Sequence, residues 1–263
     1  MPEISAIIPT CNRPELLQRA VASVRAQTYK DFELIVIDDA GGHGGGWARN
    51  QGIKQAQGNY IAFLDDDDEW MPEKLEIQHE LLKNTPADIG FSFTSVVNAY
   101  DDHAEITTVD QGIADYHRRV LENFKEFLNV TLMFKKHVLD EVGGYDESFP
   151  NHQETDLLIR VTKKYKGLGI NQPLTRVSMS QGYIRTNKAT PDMKIRGREM
   201  LLQKHHDDFA SDPKNFAWQL FQLGLLYRDN KQRSEALKLF QQAWQTDKKI
   251  RYKLHEVKTK LHL

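Results

Sequence analysis

The chain predicts an α/β fold, a mostly parallel sheet flanked by helices, with an α-helical extension at its C-terminal end. Two observations carry the first part. Three short runs rich in β-branched residues, ISAIIP (4–9), FELIVID (32–38) and YIAFLD (60–65), read as buried strands. The stretches between them have helical spacing, and a strand–helix–strand–helix–strand order calls for parallel pairing through right-handed crossovers. A third observation carries the extension: from about residue 192 the strand-like runs stop and helical patterns continue to the end. The expected division is therefore a domain over residues 1–191 and a helical extension over 192–263.

The elements follow in order. In NRPELLQRAVASVRAQ, Pro14 suits a first helical turn, and Leu16, Leu17, Ala20, Val21 and Val24 fall on one face. WARNQGIKQAQG carries a shorter helical pattern, read as closed by Gly58. Asp38 and Asp39 end the second strand and Asp65 to Asp68 end the third, so parallel pairing brings both acidic clusters to the carboxyl edge of one sheet. Open α/β folds bind ligands at that edge. ADIGFSFTSVV (87–97) and VTLMFKK (130–136) read as further strands, separated by a helical stretch in DYHRRVLENFKEFL (115–128). ETDLLIRVTKKYKG (154–167) reads as a helix with Leu157, Leu158 and Val161 toward the core.

In the extension, Leu223, Gly224, Tyr227, Ala236, Phe240 and Ala243 follow the spacing of one tetratricopeptide-like helical hairpin. A single hairpin cannot bury its apolar face alone, so it is expected to pack on the α/β domain or on a second copy, which would make the C-terminal helices a route to a homo-oligomer. The terminal KKIRYKLHEVKTKLHL is basic, with Ile250, Leu254, Val257 and Leu261 at helical spacing. An amphipathic cap packed on the hairpin is the preferred reading of it; peripheral contact with anionic lipid is the alternative.

Composition narrows the partners. Thirty-five Lys and Arg against 37 Asp and Glu leave a net charge of about −2, so no basic field advertises nucleic acid. One cysteine, Cys11, excludes a disulfide framework and a cysteine-based zinc site. MPEISAIIPT lacks the basic flank and apolar run of a leader, and no stretch has the length of a membrane span. A cytoplasmic protein, peripheral to a membrane at most, is the expectation.

Four consecutive aspartates at the end of a buried strand repel one another and resist desolvation, and a hard cation is the simplest reason to keep them. Mg²⁺ or Mn²⁺ takes carboxylate and phosphate oxygens and needs only one or two protein carboxylates. Asp68 also reads as a cap for the helix in EWMPEKLEIQHELLK. The stretch AGGHGGGWARN lets the backbone approach a ligand closely, with Arg49 placed to face a phosphate or a metal-bound diphosphate; His43 within it reads as solvated. No Lys-Ser or Lys-Thr follows the glycines, so this is not a Walker loop, and PTCNRPE stands where a dinucleotide fingerprint belongs.

ISAIIPTCNRPELLQRAVASVRAQTYKDFELIVIDDA, ARNQGI, GNYIAFLDDDDEWMPEKLE and VGGYDESF…ETDLLIR, in that order over residues 1–190, resemble family 2 glycosyltransferases of the GT-A fold. The resemblance implies inverting transfer of a sugar from a nucleotide diphosphate donor, most simply a UDP-sugar, to a hydroxyl of a saccharide or lipid-linked acceptor, with a divalent metal. Asp39, with Asp38 beside it, would contact the donor's base or ribose, as would Pro9, Thr10 and Arg13, and Arg49 would face its diphosphate. Asp65 and Asp67 match the family's Asp-x-Asp pair: Asp67 binds the metal, Asp65 holds the ribose or a metal-bound water, and Asp66 sits between them on the donor side. Glu154 aligns with the catalytic base and Asp156 with a later acidic position, which makes Glu154 the preferred catalytic residue and Asp156 the alternative. The family's Tyr-Arg-x-His pattern finds its nearest stretch in YIRTNKAT, with Asn187 where the His falls.

Two rival functions stay open on the sequence. A nucleotidyltransferase also uses a parallel sheet and a carboxylate-held metal, and an inactive binding or scaffold protein would work through the helical hairpin.

Overall fold

The computed structural model describes residues 1–124, 126–179 and 189–260; Asn187 and Leu261 lie outside them. The described chain divides into two compact units, one holding residues 1–147 and 153–179, the other residues 148–152 and 189–260.

Among the described residues the first unit is a mixed sheet of nine strands with helices between them: β1 Ile4–Thr10, α1 Pro14–Arg25, β2 Phe32–Asp38, α2 Gly45–Gln55, β3 Tyr60–Phe63, β4 Glu69–Trp70, α3 Lys74–Lys83, β5 Ile89–Ala99, β6 Ala104–Thr107, β7 Gly112–Ala114, α4 His117–Glu122, β8 Met133–Lys135, α5 Lys136–Val142, α6 Gln153–Thr162 and β9 Lys166–Ser178. The order is β2-β1-β3-β8-β5-β9-β4, with β6 beside β5 and β7 beside β9. β1 pairs in parallel with both β2 and β3, as the alternation of strand and helix requires. Their carboxyl ends therefore lie together: Thr10 is in register with Asp38, and Ile7 with Phe63 at the end of β3.

Alternation along β1 sorts the two faces. Ile4, Ala6 and Ile8 join Ala20 and Val24 of α1 and Leu75 and Leu82 of α3 in one buried cluster. Ile7, on the opposite face, meets α2 so closely that a Cβ on Gly52 would lie 2.4 Å from its Cγ2. Burying these side chains contributes on the order of 1.5–3 kcal/mol each.

Several local expectations need correction. The helix expected over 115–128 is confined to His117–Glu122: Asn123 turns extended, while Tyr116 and Phe127 are drawn into an aromatic cluster with Phe93. The helix expected over 154–167 ends at Thr162, and Lys166 already begins β9, whose glycines, Asn171 and Pro173 hide its strand character. Gly58 does not close α2, which ends at Gln55; it lets the chain pass against β1, where a Cβ would lie 2.7 Å from the Ile4 carbonyl carbon. Asp68 caps no helix, because α3 starts only at Lys74, and its Oδ1 accepts the Ser178 N–H at 3.0 Å.

The second unit contains α7 Pro191–Lys204, α8 His206–Ala210, α9 Pro213–Asp229, α10 Arg233–Thr246 and α11 Ile250–Lys260. Asp212 caps α9 by accepting from Lys214 N–H at 3.0 Å and Asn215 N–H at 3.2 Å, with Pro213 in the first turn. α9 and α10 form the expected helical hairpin, in which a Cβ on Gly224 would lie 2.6 Å from the Phe240 ring. The terminal helix does pack on the hairpin, but through a different face: α11 buries Tyr252, Glu256 and Thr259, and Ile250, Leu254 and Val257 are exposed. The aromatic contacts that Tyr252 makes with Phe221 outweigh what the aliphatic stripe offers.

Lys74 gives a test of the packing. It is fully buried, with its ammonium beside the Gln78 amide oxygen and 4.5 Å from the Trp70 ring centroid, and burial pushes its pKa down to about 7. The unfolded chain holds this proton up to an ordinary value of 10.5. Between the two values the unfolded state binds more protons, so stability rises as pH increases from 7 toward 10, falls as pH drops from 10 toward 7, and levels off below 7, where both states hold the proton. Urea denaturation at pH 7.5 and 9.5 should show wild type gaining about 1 kcal/mol per pH unit relative to Lys74→Met. Parallel pH profiles would contradict a desolvated lysine.

Candidate active site

The carboxyl edge of β2-β1-β3 gathers the acidic residues that the sequence singles out. Beyond β3 the chain makes a tight turn in which the Asp68 N–H donates to the Asp65 carbonyl at 3.1 Å. The four side chains separate within this turn. Asp66 is 1% exposed; its Oδ2 accepts from Thr10 Oγ1 at 2.7 Å and from Arg13 Nε at 3.0 Å, and Arg13 Nη2 is ion-paired with its Oδ1. Burial raises the Asp66 pKa, Thr10 and Arg13 pull it back, and Asp67 and Asp65 push it up again. Asp65, Asp67 and Asp68 instead bring one carboxylate oxygen each within 4.8 Å of one another.

Two arginines supply counter-charge. Arg13 follows β1, where Asn12 takes the left-handed conformation (φ 54°) that turns the chain into α1, and Nη1 of Arg13 reaches Asp67 at 3.3 Å. Arg49, on α2, donates to Asp65 Oδ1 at 2.6 Å. Burial alone would lower the Arg49 pKa, but Asp65, Tyr145 and Glu154 outweigh it and raise it, so this guanidinium is permanently charged. Its Nε is buried without a hydrogen-bond partner. Arg49 thus pairs with Asp65 of the aspartate turn and lies within electrostatic reach of Glu154 in the first turn of α6.

The helix starts converge here. α2 begins within the glycine stretch, with Gly44 preceding it at φ 105° and Gly45 and Gly46 already helical. A Cβ on Gly46 would lie 3.0 Å from the Gln153 amide carbon, so the starts of α2 and α6 meet at a position that admits only glycine without displacement. Asp39 holds the loop: it is 6% exposed and accepts from Gly44 N–H at 2.6 Å and His43 N–H at 2.9 Å, with His43 Nδ1 at 2.8 Å. Burial raises the Asp39 pKa, and these hydrogen bonds overcome it and leave it lowered. His43 is thus not simply solvated; its ring also stacks on Trp47 with centroids 4.2 Å apart.

Of the remaining sequence candidates, Asp38 is exposed at the end of β2 and Pro9 is half-buried near the end of β1. Glu154 is half-buried, within electrostatic reach of Arg49 and Tyr145. Asp156 is fully buried and its Oδ2 is held by Arg160 at 2.7 Å and 3.0 Å. Arg160 also donates to the Val142 and Gly144 carbonyls, which ties α6 to the Gly143–Gly144 turn.

Sequence reasoning passed over three participants. Tyr145 is buried beneath Arg49, whose guanidinium lies 5.7 Å from its ring centroid, and it stood in the quoted VGGYDESF without a role. Asn50 of ARNQGI clamps Tyr145 from both sides, donating to its carbonyl at 2.9 Å and accepting its N–H at 2.8 Å. Asp68 joins Asp65 and Asp67 rather than a helix start. Each member of this trio offers a carboxylate oxygen, a donor set that suits a hard cation such as Mg²⁺ or Mn²⁺, so the residues fit the implied metal.

The family described as Glycosyl transferase family 2 matches residues 5–41 and 40–91, the segments that build this edge. The amylovoran biosynthesis glycosyltransferase AmsB of Erwinia amylovora is 27% identical over 209 residues, covering 66% of this chain and 69% of that protein. S. aureus TarS 1–349, solved in complex with UDP-GlcNAc, superposes with a TM-score of 0.65 at 14% identity over 92% of this chain and 81% of that one. The mannosyltransferase PcManGT from Pyrobaculum calidifontis, solved with GDP-Man and Mn²⁺, gives a TM-score of 0.53 at 17% identity, over 93% and 74% of the two chains. These likenesses confirm the GT-A-like fold, a mixed sheet flanked by helices.

The separation within the aspartate turn predicts opposite stabilities for neighbouring substitutions. Asp66→Ala strands Arg13 beside a buried cavity and should lower stability by about 2–4 kcal/mol. Asp67→Ala relieves like-charge repulsion at a half-exposed position and should change it by less than about 1 kcal/mol. Thermal denaturation of the two variants at pH 7 measures the difference; equal losses would contradict the assignment.

Proposed function

We propose, from the premise that the chain is a family 2 glycosyltransferase, that it moves a sugar from a nucleotide diphosphate donor, a UDP-sugar by preference, to the hydroxyl of a saccharide or lipid-linked acceptor with inversion at the anomeric carbon. The family sets aside the nucleotidyltransferase reading. The observation that carries the proposal is the Asp65, Asp67 and Asp68 trio at the carboxyl edge of the parallel strands, with Arg49 paired to Asp65 and within electrostatic reach of Glu154. That TarS was solved with UDP-GlcNAc and PcManGT with GDP-Man and Mn²⁺, on the same fold, supports a nucleotide-sugar donor and a divalent ion.

In this reading Asp67 is the principal ligand of a Mg²⁺ or Mn²⁺ ion, with Asp65 and Asp68 beside it. The ion would neutralise charge on the departing nucleoside diphosphate. Arg49 adds a fixed positive charge to the same region. Asp39 and Asp38 frame the nucleoside from the end of β2, with Pro9, Thr10 and Arg13 at the end of β1. Asp66 acts by holding Thr10 and Arg13 in place.

Glu154 is the proposed base. The acceptor hydroxyl gives its proton to the Glu154 carboxylate as its oxygen bonds to the anomeric carbon; the bond from that carbon to the diphosphate oxygen breaks on the opposite face, and the electron pair leaves with the diphosphate. Asp156, neutralised by Arg160, positions α6 and with it Glu154.

Titration calorimetry with UDP- and GDP-sugars, with and without Mn²⁺, tests donor binding, and slow donor hydrolysis tests turnover. Asp67→Ala should lose metal-dependent donor binding by about tenfold or more. Glu154→Gln should bind donor as wild type does and lose transfer by about 10²–10⁴-fold. Unchanged transfer in both variants, or no binding of any nucleotide sugar by wild type, would leave a scaffold protein as the better description.

A further inference from the structure

We propose that the outward face of α11 docks on an anionic lipid bilayer surface. The helix is amphipathic in the opposite sense to a packing helix. Its inward side is aromatic and polar: Tyr252 is fully buried 5.1 Å from the Phe221 ring, and His255 lies 5.0 Å from the same ring. Glu256 is 2% exposed, with Lys253 at 2.8 Å, Lys260 at 2.6 Å and the Gln241 amide donating at 3.1 Å.

Its outward side is aliphatic. Ile250, Leu254 and Val257 are 65%, 51% and 42% exposed, and the i, i+4, i+7 spacing lines them up along one stripe. Basic residues run along both edges of that stripe. Arg251 and Lys258, seven residues apart, follow one side, and Lys253 and Lys260, also seven apart, follow the other. The one acid of the helix, Glu256, is buried and ion-paired with Lys253 and Lys260, so four cationic side chains less one acid leave the helix a net charge of about +3.

An apolar stripe between cationic edges, on a helix held flat by its opposite face, is the pattern that seats at the headgroup boundary of an anionic bilayer. A symmetric second copy is disfavoured by charge, since pairing the stripe with itself brings together two faces of the same net positive charge. Nucleic acid is disfavoured by the centre of the face, because phosphate contacts call for cations without an aliphatic stripe between them. The proposal goes beyond the transfer reaction and does not depend on it.

Co-sedimentation of the full chain with vesicles of phosphatidylcholine alone, or of phosphatidylcholine with phosphatidylglycerol, tests this surface. Wild type should partition onto the phosphatidylglycerol vesicles and release as salt rises. Combining Ile250→Gln, Leu254→Gln and Val257→Gln should cut partition by about tenfold or more at unchanged thermal stability, because these side chains are exposed. Lys258→Glu alone should weaken it by about fivefold. No partition of wild type, equal partition of the triple-Gln protein, or self-association of wild type that the triple-Gln protein loses in the absence of vesicles would overturn the proposal. Donor hydrolysis without vesicles should be the same in both proteins; its absence from both would count against the transfer reaction and leave the vesicle result standing.

Discussion

Four carboxylates on consecutive residues at the end of a buried strand cannot share one environment, and the ion pair between Arg13 and Asp66 is what divides them. Asp66 is drawn into the end of the sheet by Arg13 and Thr10, both from the first strand's exit. With the middle side chain fixed there, Asp65, Asp67 and Asp68 collect into a trio of oxygen donors. The first and third strands are parallel neighbours, so the strand pairing that builds the core also delivers the arginine to the aspartate. Repulsion among the trio is relieved on one side by Arg13 and on the other by Arg49.

Arg49 extends the same logic across the site. It stands on a helix whose first turn is built from glycines, and those glycines are needed because Gln153 occupies the space a Cβ would take at Gly46. The close approach lets a charged side chain on α2 sense both Asp65 and Glu154. Asp39 fixes the loop before this helix by receiving its N–H groups, and a carboxylate at a helix start is favoured by the dipole as well. The short loop between β2 and α2 is therefore ordered by its own carboxylate and by the stacked His43 and Trp47 rings, which accounts for how so few residues span the gap.

Much of this was legible before any coordinates. The first three strands and both crossover helices follow from β-branched runs and helical spacing, since local signal and tertiary demand agree there. β9 was not legible: its glycines, asparagine and proline carry no strand propensity, and it forms because β5 and β7 pair with it. The acidic cluster is legible by its repetition, but the side that Asp66 and Asp67 take depends on partners 53 to 56 residues away, which no local pattern encodes. Asp68 was misjudged for that reason, its partner Ser178 being 110 residues distant. The terminal helix misled in the opposite way: the aliphatic stripe was visible, but which face packs was decided by Tyr252 and Phe221.

The division of the aspartate turn is tested most directly by a crystal structure grown with Mn²⁺ and a nucleoside diphosphate, with anomalous data collected at the manganese edge. The account predicts one manganese peak bound by carboxylate oxygens of the Asp65, Asp67 and Asp68 trio, with Asp66 still paired to Arg13. A peak ligated by Asp66, or one bound away from the carboxyl edge of the β1 and β3 strands, would contradict it.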